Sequence, residues 1–180
     1  MGIKPPTPQE LAAKQAITEV IHRFSRGMDR MDRPMAEDCF HPGATDDHGP
    51  FFAGTAEGFL DYVWPAHEQM VSTRHAICNI LIDLDGDQAG AESYYQVTSR
   101  VRRDSGLVDT VSCGRYLDRL ACVDGAWAFT HRSIVRDWFR SAAVTPEDAA
   151  VSTSSKPDGP APQISARDRS DASYGFVGGL

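Results

Sequence analysis

The polar and apolar positions near the N-terminus follow the period of a helix. Apolar side chains recur there at steps of three and four residues, at Ala13, Ile17, Val20, Ile21, Phe24 and Met28. A helix with this spacing has one apolar face that packs on the rest of the protein. Thr7-Pro8-Gln9-Glu10 offers a capping hydroxyl, a proline for the first turn and a glutamate three residues after the cap. We therefore predict that the helix begins there.

Two shorter helices are predicted before the pattern changes. Asp32-Arg33-Pro34 offers a second cap with a proline in the first turn, and it predicts a short helix through Phe40 that ends before Pro42. A third helix, over residues 55–64, is predicted to end at Pro65, because a proline inside a helix removes a backbone hydrogen bond.

After Met70 the chain is rich in valine, isoleucine, threonine and aromatic residues, as strands are. Four such runs cover residues 73–83, 88–102, 107–121 and 126–138. Between them lie Asp85-Gly86, Ser105-Gly106 and Asp124-Gly125, which are typical of tight turns between antiparallel neighbours. Helices followed by a long antiparallel sheet predict an α+β fold, a cone in which the curved sheet wraps around the N-terminal helices and encloses a pocket.

The composition changes again at Ser141, where Ser, Ala, Pro, Asp and Gly begin to dominate. We therefore divide the chain into a cone domain over residues 7–140 and a C-terminal tail over residues 141–180. We expect the tail to dock on the cone or on a neighbouring subunit, with its two aromatic residues, Tyr174 and Phe176, buried as anchors.

Charge and composition exclude several classes of partner. A net charge of −7 is the wrong sign for neutralising the phosphates of a nucleic acid. No apolar run reaches the roughly 20 residues of a membrane helix, and the N-terminus lacks the apolar core of a signal peptide, so we expect a cytoplasmic protein that does not bind membranes. A broad convex sheet face predicts a homo-oligomer, a dimer or trimer.

A histidine and an aspartate are the first candidates for chemistry. His75 stands at the entry of the first long strand, where it would share a face with Ile77, Asn79 and Leu81 if the strand is regular. Asp29 lies at the end of the first helix, where the helix dipole disfavours a negative charge. An aspartate that accepts a hydrogen bond from one imidazole nitrogen leaves the other nitrogen free to take a proton.

Other candidates come as neighbouring pairs of which a regular strand turns only one inward. These pairs are His131 with Arg132 and Tyr94 with Tyr95, and the sequence leaves both choices open. The chain has no Gly-rich dinucleotide or phosphate loop and no nucleophile elbow, so we expect no cofactor. The scattered histidines have no metal-ligand spacing, and we expect no metal site.

Several segments together resemble the SnoaL-like family of the nuclear transport factor two-like α+β cones, over residues 11–139. They are AITEVIHRFSRGMD, STRHAICN with the WP before it, LDGDQAGAES, GRYLDRL and DGAWAFTHRSIVRDWF. The sequence is most similar to the cofactor-free lyases of that family, the dehydrochlorinase, scytalone dehydratase and bile-acid dehydratase types. Gly27-Met28-Asp29, His75 with Asn79, and Arg132 five residues after Trp127 match the dehydrochlorinase pattern.

The resemblance implies a cofactor-independent lyase that acts on a hydrophobic cyclic or aromatic small molecule, such as a lignin-derived or steroid-like compound. Asp29 and His75 would abstract a proton, Arg132 would stabilise negative charge, and water, halide or formaldehyde would leave. The alternatives are an isomerase or cyclase of the same superfamily and a non-catalytic ligand-binding protein. Further candidates for substrate contacts are Phe24, Arg74, Tyr94, Tyr95, His131 and Trp138. Arg74 departs from the small or aliphatic residue expected before the histidine.

Overall fold

Three helices and six strands make up the computed structural model, which describes residues 4–145 and 163–177. The order is α1 (Pro8–Asp29), α2 (Arg33–Glu37), β1 (Phe40–Asp47), β2 (Ala53–Thr55), α3 (Ala56–Glu68), β3 (Met70–Asp85), β4 (Gln88–Arg103), β5 (Gly106–Val123) and β6 (Ala126–Ala143). A short 3₁₀ turn follows at Ala172–Gly175.

The first helix forms as its sequence predicts. Thr7 and Glu10 make the reciprocal capping box, and the apolar stripe from Ile17 to Met28 is buried under the sheet. Gly27 lets α2 approach closely, because a Cβ there would lie only 2.9 Å from the backbone nitrogen of Ala36. This contact fixes the end of α1 and with it the position of Asp29.

Two of the predicted helix ends are wrong. The second helix ends at Glu37, and Phe40 begins β1, which includes Pro42. The third helix passes through Pro65 and ends at Glu68. Pro65 is exposed, so the helix loses one backbone hydrogen bond there without placing the ring in the core.

The six strands form one curved, unclosed sheet in the order β2-β1-β6-β5-β4-β3. The four long strands pair antiparallel, as predicted, but β1 pairs parallel with β6, so the sheet is mixed. The helices cover the concave face, and the predicted α+β cone is confirmed.

Irregularities in the strands change which side chains point inward. Asn79 has a positive φ of 49°, and the register shifts between Cys78 and Leu81. The predicted face therefore breaks after Ile77, and Leu81 is 67% exposed. A second shift, at Thr130 of β6, places both Phe129 and Arg132 in the core.

The segment over residues 163–177 packs on the corner between α1 and α2. Tyr174 is half-buried, with its hydroxyl donating to Asp32 at 2.8 Å and its ring 4.6 Å from the guanidinium carbon of Arg26. The expected burial of Phe176 is wrong, because that side chain is 86% exposed. Strand β6 extends to Ala143, past the boundary assigned from composition. Within the described residues, no helix is long and apolar enough to cross a membrane.

Candidate active site

The end of α1 and the start of β3 meet through a carboxylate and an imidazole. The Oδ2 atom of Asp29 accepts from the backbone N–H of His75 at 2.9 Å, and its Oδ1 atom lies 2.6 Å from Nδ1 of the same residue. Two contacts to one residue fix both the carboxylate plane and the imidazole ring. The Nε2 atom is left as the ring nitrogen that can exchange a proton with a ligand.

His75 borders a cavity of about 290 Å³ between α1, α3 and the concave face of the sheet. Most of its wall is aromatic or aliphatic, and Phe24, Phe59 and Tyr116 are among the lining residues. His75 also borders a cleft on the outer side of α1, where Arg26 and Arg30 lie. The inner cavity is the better small-molecule site, because its walls are mainly apolar with a few polar groups converging on them.

A second histidine, His67, lies beside His75 in the cavity wall. It is buried near the end of α3, and burial lowers its pKa to about 4, with the nearby charges of His75 and Arg167 acting in the same direction. The backbone of Met28 acts on the pKa in the opposite direction, and the Nδ1 atom of His67 is buried without a partner in the described part of the chain. His67 is therefore a neutral hydrogen-bonding group near pH 7.

The sheet contributes a phenol and a hydroxyl to the same cavity. Tyr95 is buried and lines the cavity, its hydroxyl lies 3.4 Å from that of Ser112, and its ring stacks on Tyr116 with centroids 4.6 Å apart. Tyr94 lies on the opposite face of β4 and is 39% exposed. The sequence left this choice open, and the geometry places Tyr95 at the cavity.

Arg132 lies beneath the cavity floor. Its guanidinium donates from Nε and Nη2 to Asp118 at 2.7 and 2.8 Å, and both side chains are completely buried. Its guanidinium carbon is 4.6 Å from the ring of Phe24 and 4.3 Å from that of Tyr116. Burial alone would lower the pKa of Arg132, but the Asp118 carboxylate raises it above its usual range. The charge is permanent and already paired.

Arg136, which the sequence analysis did not single out, supplies the guanidinium that lines the cavity. Its guanidinium carbon lies 4.9 Å from the ring of Phe51, and it has no carboxylate partner among residues 4–145 and 163–177. A signal for it existed in the sequence, because Arg136 stands two and four residues after Ile134 and Arg132 and so shares their face.

Of the remaining candidates, one lies at the cavity and the others lie on the outer face of the sheet. Phe24 lines the cavity. The other side chains are on the outer face: Arg74 and Trp138 are exposed, and His131 accepts or donates a hydrogen bond through Nδ1 to Thr45 at 2.8 Å. The bulge between Arg136 and Trp138 turns Trp138 outward, opposite Cys113.

His48 is another cavity residue that sequence reasoning did not select. It follows β1, a strand whose weak alternation gave no reason to place it near α3. Within the described ranges, no group of three His, Cys, Asp or Glu side chains is arranged to hold a metal ion.

Comparisons with known proteins show the same fold in enzymes and in proteins of unknown function. A putative scytalone dehydratase from Novosphingobium aromaticivorans is 21% identical, with a TM-score of 0.67 over 76% of this chain and 91% of that one. A hexachlorocyclohexane dehydrochlorinase of type 2 is 18% identical, with a TM-score of 0.68 over 74% and 91%.

A protein of unknown function from Mycobacterium tuberculosis is 21% identical, with a TM-score of 0.62 over 87% of this chain and 88% of that one. At these identities the structural likeness establishes the fold alone. No curated protein matches the sequence. The model of the SnoaL-like domain matches residues 9–133, which is more than half of the chain. The protein therefore belongs to the SnoaL-like family, within the nuclear transport factor two-like superfamily.

Proposed function

We propose that the protein is a cofactor-independent lyase in which the Asp29–His75 pair removes a proton from a hydrophobic cyclic or aromatic substrate. The observation that carries the proposal is the 2.6 Å contact between Asp29 Oδ1 and His75 Nδ1 at the wall of a mainly apolar cavity. Structural relatives named as a dehydrochlorinase and a putative scytalone dehydratase support this class of reaction.

Proton removal begins with neutral His75. Asp29 accepts from Nδ1–H, which directs the lone pair of Nε2 towards a substrate C–H bond. As the proton moves to Nε2, the ring becomes an imidazolium, and the carboxylate stabilises that charge. A positioned base of this kind contributes about 10²–10⁴-fold to the rate.

Negative charge that develops on the substrate needs groups that do not already serve another partner. Arg132 is paired with Asp118, so its proposed role is to hold the floor of the cavity rather than to contact the substrate. Arg136 and the Tyr95 hydroxyl line the cavity and can donate to an oxyanion such as an enolate or phenolate.

The size of the cavity favours small substrates. At about 290 Å³ it lies just below the roughly 300–1,000 Å³ that is typical of small-molecule sites. A compound of one or two rings fits this volume better than a steroid does. The aromatic rings of Phe59, Tyr62 and Phe24 would contact its faces.

The test is a mass-spectrometric screen of one- and two-ring aromatic ketones that carry a hydroxyl, chloride or hydroxymethyl group next to an acidic C–H bond. We expect loss of water or hydrogen chloride when His75 removes the C–H proton, or loss of formaldehyde when it removes the O–H proton of the hydroxymethyl group and the C–C bond breaks to leave an enolate. His75→Ala should lower any of these activities by about 10²–10⁴-fold. His131→Ala is the matched control, because that histidine lies on the outer face. A product of unchanged mass would make the protein an isomerase or cyclase, and full activity of His75→Ala would overturn the mechanism.

We also propose that the protein is a homo-oligomer that covers the outer face of the sheet. Leu81, Tyr94 and Leu117 are exposed there by 67%, 39% and 36%. Leu81 and Leu117 both lie opposite Glu92 on adjacent strands, so they form one patch. Light scattering that gives a monomer mass at every concentration would contradict this.

A further inference from the structure

The segment over residues 163–177 reaches the candidate active site through one side chain. Arg167 donates from Nη1 to the backbone oxygens of His67 and Met70, the latter at 2.8 Å. His67 lies in the last turn of α3, and Met70 is the first residue of β3. One guanidinium nitrogen therefore connects the end of a helix to the start of the strand that carries His75.

The place of these two carbonyls makes the contact specific. The last carbonyls of an α-helix lack partners within the helix and carry the negative end of its dipole, so a cation is favoured there. The backbone N–H of Gln69 also reaches the oxygen of His67, and Arg167 adds a charged donor to it. The second carbonyl, that of Met70, belongs to the outermost strand of the sheet. Arg167 thus holds the connection between α3 and β3.

Both histidines beside the proposed proton transfer depend on this connection. His67 borders the cavity, and its own carbonyl is one of the two acceptors. His75 follows Met70 by five residues on β3, where Asp29 contacts its backbone N–H and its Nδ1 atom. A shift of the connection would move His67 directly and His75 along the strand. A misplacement of about 1 Å can cost about 10²-fold in rate.

The charge of Arg167 also acts on the wall of the cavity. The side chain is half-buried, and burial lowers its pKa, whereas Asp29 raises it and Arg30 lowers it further. Arg167 in turn helps burial and His75 to lower the pKa of His67 to about 4, against the opposing charge of Asp29. The guanidinium therefore lies near both the carboxylate and the neutral histidine of the site.

The other contacts of the segment lie farther from the cavity. Arg169, which is 72% exposed, donates to Asp32 at 3.1 Å, and the hydroxyl of Tyr174 donates to the same carboxylate. None of these three residues lines the cavity. The matched family domain ends at residue 133, so the whole segment lies outside it. Arg169 therefore offers a control for docking of the segment without contact to the α3–β3 connection.

We propose that Arg167 is a positioning residue for the reaction, which holds His67 and the start of β3 in place so that His75 faces the substrate. The inference rests on the proposed lyase function and adds a residue from outside the matched domain. Arg167 does not line the cavity, so it acts through the two histidines and not by contact with the substrate. Its loss should therefore lower kcat and leave KM nearly unchanged.

The experiment compares three variants of the full chain. Arg167→Met keeps an apolar stem but removes the charge and every donor. Arg167→Lys keeps the charge, and its ammonium can serve both carbonyls because both bonds come from one nitrogen of Arg167. Arg169→Met is the matched control, since it removes the same charge from the same segment. The measurements are kcat and KM on the substrate found in the screen, and an NMR titration of the His67 ring, assigned with His67→Gln.

We expect Arg167→Met to lower kcat by about 10- to 10²-fold, with KM changed by no more than about three-fold. The pKa of His67 should rise from about 4, because a nearby positive charge is lost. Arg167→Lys and Arg169→Met should keep that pKa and stay within about three-fold of the wild-type kcat. Circular dichroism melts confirm that the variants fold.

Wild-type values of kcat and of the His67 pKa in Arg167→Met would overturn the proposal, and so would equal changes in Arg169→Met. Either result leaves the proposed lyase function intact. If the wild-type protein turns over no substrate, the lyase function fails and the catalytic role of Arg167 fails with it. The titration then still measures whether Arg167 acts on His67.

Discussion

Two aspartates of the cone each contact one basic side chain, and the two pairs differ in which atoms they leave free for a ligand. In the Asp29–His75 pair the imidazole reaches the cavity and one ring nitrogen remains available. In the Arg132–Asp118 pair both side chains are completely buried, and the guanidinium is enclosed by aromatic rings. In the proposed reaction, the first pair takes up the proton of the substrate. The second pair lies in the core, where burial raises the pKa of Asp118 and the Asp118 carboxylate keeps the pKa of Arg132 above its usual range.

This difference separates Arg132 from Asp29 and His75, which the sequence resemblance had placed in one catalytic set. The resemblance to dehydrochlorinases implied one catalytic set of Asp29, His75 and Arg132. In the structure, Asp118 accepts from Nε and Nη2 of Arg132, and the guanidinium packs against Phe24, which lines the cavity, whereas Arg132 itself does not line it. Substitutions in the Arg132–Asp118 pair should therefore lower mainly stability, and substitutions in the Asp29–His75 pair should lower mainly activity.

The largest expected effect is on stability, at the buried pair. Asp118→Ala leaves Arg132 as an unpaired cation in the core and should lower the free energy of unfolding by about 3–5 kcal/mol. Urea denaturation followed by tryptophan fluorescence measures the change. Glu92→Gln is the control, because its partner Arg115 forms a half-exposed pair that should contribute about 0–1 kcal/mol. Equal losses in the two variants would show that the buried pair has no special role in the core.

At the other pair, activity should change much more than stability. Asp29→Asn keeps an acceptor for the imidazole but cannot stabilise the imidazolium, so we expect turnover to fall by about 10²-fold or more. The unfolding free energy should change far less than with Asp118→Ala. Combined with His75→Ala, the loss should be smaller than the product of the single losses, because the two residues act as a unit.

The control for Asp29→Asn is Asp38→Asn, at the exposed C-cap of α2, which should keep full turnover. If Asp29→Asn unfolds the protein or leaves turnover unchanged, the distinction between the two pairs is lost.

Local sequence signals predicted the Asp29–His75 pair. The Arg132–Asp118 pair depends on how distant strands align, which the sequence does not show. The cap at Thr7 and the apolar stripe fix α1, and the turn pairs fix the long strands, so Asp29 and His75 could be predicted as partners. Asp118 lies 14 residues before Arg132 on a neighbouring strand, and their contact depends on the bulge at Thr130. No local pattern predicts a bulge of this kind.

The first two strands were missed for a related reason. Strand β1 contains Pro42 and Gly43, alternates weakly, and finds its parallel partner almost at the end of the fold. Because β1 carries Asp46 and leads into His48, the contact between Asp46 Oδ1 and His48 Nδ1 was not predicted either. The sequence did not predict the strand because its pairing is non-local, so it could not predict that His48 lies near the cavity.

Arg136 sharpens the contrast with Arg132, since both point inward on β6 but only Arg136 borders the cavity. Arg136→Gln should lower kcat/KM by about 10-fold, because a charged donor to a developing oxyanion is lost at a partly exposed place. Stability should be nearly unchanged. Steady-state kinetics on the substrate found in the screen measures the effect, and Arg119→Gln on the outer face is the control. A loss of stability without a change in kcat/KM would assign Arg136 to the core, with Arg132.

The smallest expected effect concerns the segment over residues 163–177, which packs on the corner between α1 and α2. Burial alone would raise the pKa of Asp32, but hydrogen bonds from Tyr174, Arg169 and the Met35 backbone hold it below its usual range. A depressed carboxyl pKa means that this docking stabilises the fold above the unfolded pKa of about 3.9, and that the stabilisation is lost as the pH falls through the lower folded value.

Tyr174→Phe removes one of the hydrogen bonds to Asp32 and should lower the free energy of unfolding by about 1 kcal/mol at neutral pH. The difference from wild type should shrink as the pH falls from about 3.9 through the lower folded pKa of Asp32, because only below that folded pKa is Asp32 protonated in both proteins. Urea denaturation at several pH values measures it, and Tyr94→Phe on the exposed outer face should show no such difference. A cost that stays constant into acid would mean that Tyr174 acts through its ring on Arg26 rather than through Asp32.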